Sequence, residues 1–148
     1  MTYEIDQSGK VEDTNKLTVV AYANGKIKSV KIGSVEKQKL LAAMRTLDYP
    51  KRNYVYKIFA ALIYFLLADE SVDSVVIDHE YTGHEESIIG ILTQLLHKNS
   101  KNIPTIRFGY VGKSSPAHQA ALDVFRDKKE ADIIVNAKEV LGLLYRRQ

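Results

Sequence analysis

Asn24 and Gly25 separate two segments of strand character, and this pair limits the fold more than any other feature of the chain. Residues 17–23 (LTVVAYA) are apolar, and residues 26–32 (KIKSVKI) alternate Lys or Ser with Ile or Val. Asn-Gly between two such segments is the strongest short-range signal for an antiparallel hairpin. With residues 2–6 as a preceding strand, the sequence predicts an opening meander of three antiparallel strands.

After Ser34 the hydrophobic period changes from two to that of a helix, and helices then alternate with strands. Alternation of this kind is typical of parallel strands joined by crossover helices. We therefore predict one α/β domain over residues 1–148, with a mixed sheet whose first strand lies centrally beside the later parallel strands. Predicted helices cover 37–47 (capped by Ser34), 52–69, 85–98, 116–126 (capped by Ser115) and 137–145 (capped by Asn136), and further strands cover 73–80, 105–111 and 133–135.

Composition excludes several kinds of site. The 148 residues are 45% hydrophobic, which is enough for one core. There is no cysteine, so disulfides, thiolate zinc sites and a cysteine nucleophile are excluded, and any metal must be held by oxygen or imidazole. The net charge of +3 is compatible with a nucleic-acid partner.

Nothing in the sequence predicts a membrane partner. The first ten residues lack the apolar stretch of a secretory signal, and the longest apolar run, 58–68, is too short to span a bilayer. We expect a cytoplasmic protein. The helix predicted at 52–69 is apolar on nearly every side, so it could cover a partner as well as the sheet, which leaves a homodimer open.

Acidic and imidazole side chains stand at the predicted strand ends. The apolar run 75–77 ends in Asp78, the first strand ends in Asp6, and His118 lies one turn inside its helix. Ligands gather at the carboxyl ends of parallel strands, so these three side chains are expected to meet. Such a set suits one or two Mg²⁺ or Mn²⁺ ions, which activate water and stabilise the leaving oxygen of a phosphodiester.

Three stretches resemble a known group of nucleases. The element order and YEIDQSGK at the first strand resemble the ribonuclease H-like superfamily, and LADESVDSVVIDHEYTGHEESIIGI and SPAHQAALDVF are similar to its RuvC-type Holliday-junction resolvases. The resemblance covers most of residues 2–126. It implies a ribonuclease H-like fold and a metal-dependent endonuclease in which Asp6 and Asp78 bind the metals and His118 completes the catalytic site.

The chain departs from this family at two places. Members usually have Glu where this chain has Asp78, and a second acid is usual at about 119–121, where this chain has none. Asp123 lies farther along the helix, on a different face. These departures support the alternative of a catalytically inactive ribonuclease H-like module for nucleic-acid binding or assembly. A third hypothesis is a flavodoxin-like small-molecule domain, whose first strand would not belong to a meander.

Residues around the predicted site have two interpretations each. Glu80 shares the face of Asp78 if the strand continues, so it is either a further metal ligand or a solvated acid. Lys10 and Lys113 are predicted to bind nucleic-acid phosphates, although a solvated lysine is the simpler interpretation. Tyr81 or Tyr110 would stack on an unpaired base, or else pack in the core.

Overall fold

A computed structural model describes residues 2–47 and 53–145. Within these residues there are six strands and five helices, and after the first two helices, strands and helices alternate as the sequence predicts. In chain order they are β1 (Thr2–Ser8), β2 (Thr18–Ala23), β3 (Ile27–Ile32), α1 (Ser34–Leu47), α2 (Tyr54–Leu67), β4 (Ser74–Asp78), α3 (Glu85–Lys98), β5 (Thr105–Gly109), α4 (Pro116–Phe125), β6 (Ile133–Val135) and α5 (Ala137–Tyr145).

All six strands form one mixed sheet in the order β5-β4-β1-β2-β3-β6. The pairs β1-β2 and β2-β3 are antiparallel, whereas β1-β4, β4-β5 and β3-β6 are parallel. At the predicted hairpin, Ala23 pairs with Ile27, Asn24 N donates to Lys26 O at 2.9 Å, and Gly25 has φ +71°. The meander and the central β1 are thus confirmed, and the flavodoxin-like alternative is wrong.

The larger core lies on one face of the sheet, under α1, α2, α3 and α5. Every residue of α2 from Ile58 to Tyr64 is buried, because α3 and α5 pack over this helix. Most of the apolar surface of α2 is therefore covered within the chain, which gives no support to the homodimer that the sequence leaves open. No helix in the described residues is both long and apolar enough to cross a bilayer.

Helix α4 packs on the opposite face of the sheet. Its Ala120, Ala121 and Val124 lie against Val19 and Ala21 of β2. Small side chains on both surfaces allow the helix to approach closely, so side chains on its first turn reach the sheet. This packing places His118 near the end of β1.

The start of α4 is fixed by its predicted cap. Ser115 Oγ accepts a hydrogen bond from Ala117 N at 3.1 Å and lies 3.0 Å from Glu4 Oε1, to which it donates. The capping hydroxyl therefore also ties the helix to β1. The predicted cap of α5 is confirmed as well, because Asn136 Oδ1 accepts from Glu139 N at 2.8 Å.

Several predicted boundaries were wrong. Helix α1 begins at Ser34 itself, because the Gly33 carbonyl already accepts from Lys37 N, so Ser34 is not its cap. Strand β4 ends at Asp78 instead of 80, and β5 ends at Gly109 instead of 111. The chain turns after each of these strands, at the site described below. The predicted start of the second helix at residue 52 lies outside the described residues.

Candidate functional site

Asp6 and Asp78 lie side by side on two central strands. Asp78 is the last residue of β4, but the prediction that the first strand ends in Asp6 was wrong, because Gln7 and Ser8 still pair with β2. Ile5 pairs with Ile77 in the parallel ladder between β1 and β4, so the next position of each strand brings Asp6 level with Asp78. Side chains at the same level of adjacent strands point to the same face. The backbone alone therefore places the two carboxylates together, on the face that α4 partly covers.

Glu80 joins them through a turn. The strand does not continue as predicted, because Glu80 N donates to Asp78 O at 2.9 Å and the chain reverses. The turn directs Glu80 back over the strand end, and one carboxylate oxygen of each of Asp6, Asp78 and Glu80 lies within 4.8 Å of the others. In the part of the chain that the structure describes, no second group of three metal-ligating side chains is this close.

The Tyr81 side chain stabilises this turn through hydrogen bonds and ring contacts. Its hydroxyl donates to Gln7 Oε1 at 3.1 Å and accepts from Val11 N at 3.4 Å. Its ring packs edge-on against Phe59 and Tyr56, with centroids 5.1 and 5.7 Å away. Tyr81 is therefore engaged within the fold and does not offer a face for base stacking.

Both oxygens of Asp6 accept hydrogen bonds. Oδ1 accepts from Gln7 N at 2.8 Å, and Oδ2 lies 2.9 Å from His118 Nδ1. When Asp6 is ionised the imidazole proton is on Nδ1, which leaves Nε2 as the proton acceptor. His118 of α4 is thus connected to the three acids by its hydrogen bond to Asp6.

Asp78 is bonded to the loop that follows β5. Its Oδ1 accepts from Val111 N at 2.9 Å. The chain leaves the sheet to make this bond, which explains why β5 stops at Gly109. The loop between β5 and α4 is thereby attached to the candidate site itself.

Burial and mutual repulsion act on the acids. Burial raises the pKa of Asp6, hydrogen bonds from Gln7 and His118 oppose this rise, and the charge of Asp78 adds to it. Burial, together with the charges of Asp6 and Asp78, raises the pKa of Glu80 to about 7. Negative charges that raise the pKa values of Asp6 and Glu80 in this way form an environment that a cation would relieve.

The acids lie in a cleft of about 250 Å³, and Lys113 and His118 are among the residues that line it. Lys113 is exposed there, as a phosphate contact requires. Lys10 does not line the cleft. It is exposed on the loop between β1 and β2, where its positive charge opposes the rise in the pKa of Glu80. Away from the cleft, the Nζ atoms of Lys26 and Lys28 form ion pairs with the carboxylate oxygens of Glu70, at 2.7 and 3.4 Å.

Sequence reasoning missed the residues that support the site. Gln7 and Val111 orient the acids through backbone N–H groups, which any residue type provides, so no sequence signal could have identified them. Glu4 had a signal, because it lies two positions before Asp6 on the same face of β1. His84 stacks on Tyr56 with ring centroids 4.2 Å apart.

Comparison of the chain with protein-family models, with curated proteins and with solved structures found no match.

Proposed function

We propose that this protein is a divalent-metal-dependent nuclease of ribonuclease H-like fold, similar to the RuvC-type resolvases, that hydrolyses phosphodiester bonds in nucleic acid. One observation carries the proposal: Asp6, Asp78 and Glu80 place ligand oxygens within 4.8 Å of one another, with His118 bonded to Asp6. These groups come from three distant parts of the chain, around residues 6, 78–80 and 118. Their convergence is the arrangement that the resemblance implies.

The topology supports the same proposal. The first strand lies between an antiparallel β2 and a parallel β4; Asp78 is the last residue of β4, and Asp6 lies level with it, two residues before β1 ends. Helix α4, after β5, carries the histidine to those acids on the face of the sheet to which they point. This order and these positions are those expected of a ribonuclease H-like domain.

The donor set fits Mg²⁺ or Mn²⁺. Both ions prefer carboxylate oxygen, and Mn²⁺ accepts imidazole more readily. Asp6 and Asp78 would hold the metal, and Glu80 would supply the third carboxylate that helix α4 lacks at 119–121. Bound ions would supply an activated water and stabilise charge on the leaving oxygen.

His118 and the lysines have distinct roles in this proposal. Through Nδ1, His118 orients Asp6, and its Nε2 accepts a proton from the attacking water or returns one to the leaving oxygen. Lys113 at the cleft and Lys10 on the neighbouring loop would contact phosphates on either side of the cleaved bond. Each lost phosphate contact would reduce the salt dependence of binding.

A second candidate function is a nucleic-acid-binding or assembly module of the same fold without catalysis. The absence of an acid at 119–121 favours it, because Asp123, five residues after His118, is on a different face of α4. In that case the acids would bind metal, or repel one another, without cleavage.

The test is a titration of Mn²⁺ and Mg²⁺ while thermal stability is followed. At a hundredfold excess over Kd, binding to the native state adds about 2.7 kcal/mol, which raises Tm by roughly 5–10 °C. We expect this rise in the wild type and its loss in Asp78→Asn. Asp69→Asn is the matched control, because the Asp69 side chain is 83% exposed beyond the end of α2. It should respond as the wild type does.

Cleavage is then measured on labelled four-way DNA junctions, RNA–DNA hybrids and single strands. Metal-dependent cleavage that Asp78→Asn abolishes would support the nuclease. A rise in Tm with no cleavage of any of the three would favour the binding module. The absence of any metal response in the wild type would overturn the nuclease proposal.

A further inference from the structure

Tyr110 is the most exposed large apolar or aromatic side chain in the described residues, at 86% exposure. It lies on the loop between β5 and α4 and lines the same cleft as Asp6, Asp78 and Glu80. An aromatic ring this exposed, beside three metal-ligating acids, offers a flat apolar face to whatever enters the cleft.

The loop holds Tyr110 at a fixed place relative to the acids. Gly109 on one side is the last residue of β5 and pairs with Asp78. Val111 on the other side is buried, and its N–H donates to Asp78 Oδ1 at 2.9 Å. The exposed ring is therefore attached to one of the candidate metal ligands through both of its neighbours.

The lack of a side chain at Gly112 lets the Tyr110 ring pack against the loop. It has φ +84°, and a Cβ at this position would lie 3.3 Å from Tyr110 Cε1 and 3.6 Å from Cζ. Any larger residue would push the ring away and strain the backbone. The ring is thus supported along one edge while it stays open to solvent.

A second, separate cleft lies on the same face of the sheet, nearer the start of β1. It is lined by Glu4, Val76 and the exposed Arg107. Val76 pairs with Arg107, and Asp78 pairs with Gly109, so Arg107 stands two residues before the level of the acids, at about 6.6 Å along the strand. Along this strand, Arg107 therefore precedes the level of the acids and Tyr110 follows it.

We propose that the nucleic acid has an unpaired base next to the cleaved bond, and that this base stacks on Tyr110 while Arg107 contacts a phosphate on the other side of the acids. The inference rests on the proposed nuclease function and names its class of substrate. A base inside a continuous duplex is already stacked on both faces and has no free face for Tyr110. Single strands, flaps, gaps and junctions with unpaired nucleotides present such a face.

The test uses an oligonucleotide with 2-aminopurine at one unpaired position of a gapped duplex, and the same label in a fully paired duplex. Binding is measured by 2-aminopurine fluorescence in Ca²⁺, which also takes oxygen ligands. We expect quenching on the gapped probe with the wild type and with Tyr110→Phe. With Tyr110→Ala the quenching should disappear and binding should weaken by about 5- to 150-fold, whereas the paired probe changes little.

Ile134→Ala is the matched control. Ile134 is 63% exposed on β6, at the opposite edge of the sheet from β5, so removing it should change neither probe. Arg107→Gln should weaken the binding of both probes by the same factor, and it should reduce the slope of log K against log salt by about one.

The fluorescence measurement tests the stacking proposal independently of the cleavage measurement. Quenching that persists in Tyr110→Ala, with unchanged affinity for the gapped probe, would overturn the stacking proposal even if the protein is a nuclease. Quenching that depends on Tyr110 would support it even if no strand is cut. Failure of the nuclease proposal is recognised separately, by the absence of a metal response in the wild type.

Discussion

His118 Nδ1 lies 2.9 Å from Asp6 Oδ2, which links helix α4 to strand β1 across 112 positions of the chain. Asp6 is only 4% exposed, so this bond is one of the few polar contacts available to its carboxylate. The bond fixes the direction in which Asp6 presents its oxygens. It also fixes the imidazole, whose second nitrogen remains available for proton transfer.

Replacing His118 with Ala should reduce metal-dependent cleavage by about 10²- to 10⁴-fold, the range for loss of a positioned acid or base. Stability should fall by about 1–3 kcal/mol, because the buried Asp6 carboxylate loses one of its few polar partners, whereas the helix itself is still capped by Ser115. The measurements are kcat/KM at saturating Mn²⁺ and Tm. Gln119→Ala, at the adjacent exposed position, is the control. A loss of less than threefold in His118→Ala would remove this residue from the proposed mechanism.

The metal-free protein should lose stability as the pH rises. The folded-state pKa is raised for Asp6, and for Glu80 it is about 7 against a usual 4.5. A carboxyl group with a raised pKa binds its proton more tightly in the folded state, so its contribution is present below pH 4.5 and is lost as the pH rises through about 7.

With EDTA, Tm should therefore fall between pH 5 and pH 8, and Glu80→Gln should flatten this fall. Saturating Mn²⁺ should reverse the trend, because the ion competes with protons for the same oxygens. The measurement is Tm against pH with and without metal. A metal-free Tm that rises between pH 5 and pH 8 would contradict the electrostatic account of the site.

Gly9 should tolerate alanine worse than any other turn glycine near the site. It has φ +80°, and a Cβ there would overlap the carbonyl oxygen of Leu17 and lie 2.6 Å from Phe125 Cε1. Gly25 has a similar φ of +71° with nothing within 4 Å of its Cβ position. We expect Gly25→Ala to cost about 1–2 kcal/mol from backbone strain alone.

Gly9→Ala should cost about 2–5 kcal/mol, because overpacking adds to the strain. Denaturant unfolding of the two variants gives the comparison. Equal losses would mean that the loop after β1 can move away from Phe125, and that Gly9 does not fix the chain beyond Asp6.

The features predicted correctly from the sequence depend on local patterns. Periodicity identifies the strands and helices, and Asn24 with Gly25 identifies the hairpin. Once β1 lies centrally beside β4, the position of Asp6 next to Asp78 follows from the parallel register, although β1 itself continues two residues beyond Asp6. These steps need only the spacing of apolar residues and the rules of strand connection.

What the sequence could not predict depends on contacts between distant residues. Lys37 is buried, although lysine is normally solvated, because its Nζ donates to the carbonyl oxygens of Lys10 and Asp13 and to Thr18 Oγ1. These bonds hold the loop that follows Asp6. The turn at Glu80 and the bond from Val111 N to Asp78 are likewise set by backbone groups, which carry no residue signature.

Tyr81 should act as a positioning residue for Glu80. Its hydroxyl joins Gln7 Oε1 and Val11 N, so it fixes the turn that carries the preceding Glu80. Tyr81→Phe keeps the ring packing and leaves those groups without this partner, at a cost of about 1–3 kcal/mol. A looser turn holds Glu80 less firmly, so the Kd for Mn²⁺ should rise by roughly tenfold or more.

The matched control is Tyr56→Phe, because the ring of Tyr56 contacts Tyr81 edge-on but its hydroxyl takes no part in the bonds to Gln7 or Val11. It should change Mn²⁺ affinity by less than about twofold. Calorimetric titration of Mn²⁺ separates the two effects, since a purely structural role lowers Tm without changing Kd. If Tyr81→Phe lowers Tm and binds Mn²⁺ as tightly as the wild type, the turn is held by its backbone bond from Glu80 N to Asp78 O alone.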